Sequence, residues 1–72
     1  MHSTIKPAQR TTLAHPSLPA QYEFLPRYGD DGEISTVTIV HTGRRYRDQY
    51  ELEPEDARAL FRRLETKGYE RF

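Results

Sequence analysis

The chain has no cysteine, so disulfides and thiolate metal sites are excluded, and the composition fits a reducing cytoplasm. No apolar run approaches the roughly 18–20 residues needed to span a bilayer, and no apolar h-region marks a secretory signal. Four glycines are scattered at positions 29, 32, 43 and 68, which leaves no glycine-rich loop for a phosphate. Net charge is also missing, since eleven basic side chains balance eleven acidic ones. A dedicated nucleic-acid binder usually shows a basic excess. At 72 residues there is room for one domain with a small core. Hydrophobic residues are 35% and charged residues 31%, polar enough to leave room for a disordered segment.

What is present begins at the C-terminal end. Residues 53–69 read as a helix with both its start and its stop. Pro54 suits the first helical position, where its missing N–H costs nothing. Glu55 and Asp56 place negative charge at the positive end of the helix dipole. Ala57, Leu60, Phe61 and Leu64 recur at helical spacing as one apolar stripe. Lys67 sits in the last turn, Gly68 can take the left-handed conformation that ends a helix, and Tyr69 is placed to pack back on Leu64.

Three strands are expected before that helix. Tyr22, Phe24 and Tyr28 alternate with Glu23, Leu25 and Arg27, and because proline cannot donate to a ladder this strand is expected to lie at a sheet edge or to end near Pro26. Asp30-Asp31-Gly32 is a turn signal; the two aspartates resemble a fragment of a calcium loop, but the remaining ligands are missing. Residues 33–42 are dense in β-branched side chains and form the best central strand. In one register Val37 and Ile39 face the core, in the other Ile34 and Val40. Arg45 to Leu52 alternates again, with Tyr46, Tyr50 and Leu52 on one side and Arg45, Arg47, Gln49 and Glu51 on the other. The expectation is an α+β fold: a three-stranded antiparallel meander over residues 21–52, then one C-terminal helix on a sheet face.

Residues 1–20 read as a flexible tail outside the 21–72 domain. Pro7, Pro16 and Pro19 break regular structure, and Ile5, Leu13 and Leu18 are too sparse for a core face. Such a tail is suited to ordering on a partner.

Site chemistry is thin. His41 with Thr42 and the nearby Asp48 are the only catalytic candidates, the three histidines share no metal-ligand spacing, and no catalysis or cofactor is expected. The binding candidates are arginines. Gly43-Arg44-Arg45-Tyr46-Arg47 mixes guanidinium groups with an aromatic ring, a pattern that can contact phosphates and stack bases. Arg27 would join them across the sheet, and Arg58, Arg62 and Arg63 form a second group on the helix. Cross-strand and helical ion pairs are the ordinary role of such residues. Three antiparallel strands followed by a helix is similar in element order to the DNA-binding domains of plant ethylene-response factors and the arm-binding domains of tyrosine recombinases. That resemblance implies a sheet face laid in the major groove, here Arg27, Thr36, Thr38, Arg45 and Arg47. The leading expectation is a small non-catalytic binding or accessory module acting through a protein partner. Nucleic-acid binding through the outer sheet face and the Arg44–Arg47 strand is the alternative. Homodimerisation is expected, if anywhere, on the edge strand near Tyr22.

Overall fold

The computed structural model describes residues 10–71. It is an α+β fold of five strands and one helix: β1 (Thr11–Ala14), β2 (Gln21–Tyr28), β3 (Ile34–Thr42), β4 (Arg47–Leu52), α1 (Pro54–Thr66) and β5 (Glu70–Arg71). The sheet has the order β4-β3-β2-β1-β5 with antiparallel neighbours throughout. The expected meander is its β2–β3–β4 part, and two strands are added on the β2 side.

The first correction concerns residues 11–20. Thr11–Ala14 pair with Gln21–Phe24, so the expected boundary at residue 21 falls at the start of the second strand of a hairpin. Pro16 and Pro19 lie in the connection of that hairpin, where the Ser17 N–H donates to His15 Nδ1 at 3.0 Å. Leu13, one apolar residue in a polar stretch, is completely buried. It stands opposite Tyr22 in the ladder and joins the core of Phe24, Val37, Ile39, Ala57 and Leu64. The tail expected over residues 1–9 lies outside the described residues.

The second correction concerns the edge. β2 is an interior strand, with β1 on one side and β3 on the other. Ladder alternation shows how it tolerates Pro26. The Gly43 N–H donates to the Tyr46 carbonyl at 2.9 Å, which fixes 43/46 as a hydrogen-bonded pair of the β3–β4 hairpin. Such pairs alternate, so His41/Asp48, Ile39/Tyr50 and Val37/Leu52 are hydrogen-bonded pairs too. Val37 therefore directs its backbone groups at β4, and its pairing with Pro26 asks for no N–H from the proline. On the other side of β2, the described pairing with β1 stops at Phe24.

The core register is the one with Val37 and Ile39 inward, and Ile39 is fully buried. An irregularity between Arg27 and Tyr28 then pairs Tyr28 with Ile34, which leaves Ser35 as the extra residue of a bulge. The bulge returns Ile34 to the helix-bearing face, so residues from both expected registers share it. Val40 and Thr38 point to the other face and are nonetheless buried. In the ladder they stand between Glu23 and Gln49, and between Leu25 and Glu51.

The helix follows its sequence signals, with Pro54 in the first turn and Glu55 and Asp56 behind it. At its end Gly68 has φ of +99°. The Gly68 N–H reaches the Glu65 carbonyl at 3.1 Å and the Tyr69 N–H reaches Leu64 at 3.0 Å. These two bonds form a Schellman motif, which satisfies carbonyls the last helical turn would otherwise leave unpaired. The reversal delivers Tyr69 to the core and lets Glu70–Arg71 pair with β1.

Candidate interaction surface

The six arginines singled out from sequence do not converge. Arg27 is exposed near the end of β2, opposite Thr36 on the face away from the helix. Arg47 opens β4 on that same face, next to Thr42. Arg44 and Arg45 are exposed in the β3–β4 turn and not on a strand, and Arg58 and Arg62 are exposed on α1. The face away from the helix carries acids among its cations. Glu23 holds Arg10 at 3.5 Å, and Glu51 and Glu70 share the face.

Tyr46, which alternation groups with Tyr50 and Leu52 on one side of a strand, is half exposed in the turn. Its ring lies over Gly43 so closely that a Cβ there would collide with it. This close approach is what the glycine permits. The Tyr46 hydroxyl and His41 Nε2 are 3.1 Å apart and share a hydrogen bond. His41 also stacks on Tyr22 with ring centroids 4.0 Å apart, and Tyr69 bridges Tyr22 to His15 through edge contacts at 5.5 and 5.2 Å. A row of five rings thus runs across the end of the sheet that carries the β1–β2 and β3–β4 connections. Burial, reinforced by the neighbouring Tyr69, Tyr50 and Tyr46, raises the Tyr22 pKa above its ordinary value. Burial and the Asp48 carboxylate do the same to Tyr50. His41 and Asp48 are cross-strand partners, as catalytic candidates would need, but the His41 ring is occupied by Tyr22 and Tyr46. Among the described residues no group of three or more His, Cys, Asp or Glu side chains is placed to hold a metal ion.

Among the described residues, hollows flank the helix at its N-terminal end and beside β4. One, of about 180 Å³, lies at its N-terminal end between Pro26, Ile34 and Val37 on the sheet and Pro54, Ala57 and Phe61, with Arg58 also in its lining. The other, of about 340 Å³, lies between β4 and α1 and is lined by Tyr50, Leu52, Leu60, Asp56 and Arg63.

β4 offers a long open edge. The hydrogen-bonding alternation that directs Asp48, Tyr50 and Leu52 at β3 leaves the backbone groups of Arg47, Gln49 and Glu51 pointing outward. All of Arg47–Glu51 is exposed, and β4 is the end strand of the sheet. It contains no proline or bulge, two of the usual guards of an edge. At the opposite edge the described β5 is only two residues long. Sequence reading places the open edge near Tyr22, because an interior seat for β2 requires β1. No family model, curated protein or solved structure matches this chain. Among the described residues no helix is long and apolar enough to cross a membrane.

Proposed function

We propose that this chain is a small non-catalytic binding module that acts through a protein partner, accepting a strand of that partner on the β4 edge. The outward N–H and C=O groups of Arg47, Gln49 and Glu51 support this reading. Edge pairing uses main-chain hydrogen bonds for affinity and side chains on alternate faces for specificity. On β4 those side chains are Arg47, Gln49 and Glu51 on one face and Asp48 and Tyr50 on the other. The hollow behind Tyr50 and Leu52 gives an incoming side chain apolar surface to cover.

Gln49→Pro tests the reading with little risk to the fold, since the Gln49 N–H serves no bond within the sheet. The unmodified protein should retain a stoichiometric partner, with slowed amide exchange at Arg47, Gln49 and Glu51 in the complex. Gln49→Pro should lose both. A partner that binds while those three amides exchange freely would sink the reading.

The second reading is nucleic-acid binding, favoured by the exposure of Arg44, Arg45 and Arg47 at one corner of the molecule. It requires an affinity for DNA or RNA that drops steeply with salt, and drops further in Arg45→Ala plus Arg47→Ala. Absence of binding at low salt would remove it.

A further inference from the structure

We infer that the strand seated on the β4 edge is β4 of a second copy, running antiparallel about a two-fold axis through Gln49. This rests on the edge reading above and adds the identity and register of the occupant.

An isologous contact must be self-complementary, because each residue meets the mirror position of the same strand. β4 meets that condition in both its backbone and its charges. Centring on Gln49 places Arg47 opposite the partner's Glu51, and Glu51 opposite the partner's Arg47. All three residues point their backbone groups outward, so these are hydrogen-bonded pairs, and each can exchange two bonds. Arg47 and Glu51 lie on the same face, so each cross-strand pair sets opposite charges side by side. On the other face, the pairs fall between Asp48 and Tyr50. Tyr50, 40% exposed in the single chain, would be covered by this contact.

Other registers are poorer. Centring on Arg47 or on Glu51 stacks like charges on the axis. Centring on Asp48 sets Arg47 opposite Gln49 and leaves Glu51 without a cation within the strand. Centring on Tyr50 draws Glu53 into the ladder, and Glu53 is already the N-cap of α1. The whole chain is electrically neutral, so two copies approach without net repulsion. The merged sheet also gives so small a domain additional buried surface.

The charge pattern supplies a test that ordinary surface mutations lack. Sedimentation velocity over a concentration series should show a monomer–dimer equilibrium for the unmodified chain. Arg47→Glu sets two carboxylates opposite each other in every cross-strand pair, and Glu51→Arg sets two guanidinium groups there. Each alone should weaken dimerisation by on the order of tenfold or more. Mixed together, the two single variants should form a heterodimer, because every cross-strand pair is again of opposite sign. The double variant, Arg47→Glu with Glu51→Arg, should recover the homodimer. Both positions are exposed, so the circular dichroism of every variant should match the unmodified chain. A chain that stays monomeric at all concentrations overturns the self-pairing, as does a dimer indifferent to the single changes or not restored by mixing. If the chain is monomeric and a different protein protects the Arg47, Gln49 and Glu51 amides, self-pairing fails while the edge reading stands. If the chain dimerises with those amides unprotected, both fail.

Discussion

Leu13→Ala is the most informative single perturbation of the fold, because it tests whether the stretch before residue 20 belongs to the core. Leu13 is fully buried, beside Phe24 and Leu64 in one cluster. Burying a leucine side chain contributes about 1.5–3 kcal/mol by transfer alone. The cavity left by truncation raises the total to about 2–5 kcal/mol. A chain of this length has a stability of about 4–11 kcal/mol at the usual ~0.05–0.15 kcal/mol per residue. Truncation at Leu13 therefore removes about half of it. For a domain of this size each kcal/mol shifts Tm by about 4–8 °C, so a fall on the order of 10–30 °C is expected. Phe61→Ala is the comparison. Phe61 contacts Phe24 edge-on at 5.3 Å and has Arg71 over its ring, yet it is only partly buried on α1. Its loss should cost no more than that of Leu13, although phenylalanine is the larger side chain. The assay is thermal and urea denaturation by circular dichroism, all variants at one protein concentration so that self-association does not distort the comparison. A Leu13→Ala protein that melts within a few degrees of the unmodified chain, or well above Phe61→Ala, would refute the placement of β1.

Gly68→Ala should cost about 1–2 kcal/mol, because φ of +99° is costly for a residue with a Cβ and that Cβ would sit 3.1 Å from His15 Nε2; unchanged urea denaturation would argue against the Schellman ending. Thr38→Val should be neutral or stabilise by up to ~1 kcal/mol, because the Thr38 Oγ1 is buried without a hydrogen-bond partner among the described residues. A clear loss of stability there would mean that the hydroxyl is satisfied in solution. Stability should fall at alkaline pH for a defined reason. The folded state raises the Tyr22 and Tyr50 pKa values above their ordinary 10.0, so it holds those protons more tightly than the unfolded chain. The resulting stabilisation is complete below pH 10 and is lost as pH rises through the folded-state values. Tyr22→Phe with Tyr50→Phe should flatten that decline in denaturation measured along a pH series, and an unchanged slope would refute the assignment.

How far each element can be read from sequence follows from where its determinants lie. The helix is legible because its signals are local: a proline, two acids, a stripe and a glycine, all within one element. Tyr46 is misplaced by pattern because period-two alternation continues smoothly from Tyr46 to Leu52, while the close contact between its ring and Gly43 belongs to the turn. β5 is illegible because two residues carry no periodicity, and their pairing with β1 spans almost the whole described chain. β1 escapes notice because a single leucine between threonines and prolines looks like filler. It becomes a core residue only when Tyr22 stands opposite it and it joins the cluster that includes Leu64.

The candidate site inherits that miss. Which strand is left at the edge depends on strand order, and strand order here turns on β1. With three strands, β2 is an edge and its proline reads as an edge device. Once β1 takes the seat beside β2, Pro26 lies just past the described β1 pairing, which stops at Phe24, and opposite Val37 in a pair that asks for no N–H, and the open backbone moves to β4. Backbone donors and acceptors have no residue signature, so no motif search would find them. The side chains that stand beside them do have one. Arg47, Gln49 and Glu51 are legible as an outward face, and read only as a salt-bridged surface while their partner is sought on the neighbouring strand. On β3 their neighbours are Thr42, Val40 and Thr38, which carry no charge to answer them. Charges of opposite sign two positions either side of Gln49, unmatched within the sheet, are complementary to the same strand turned through a half-circle.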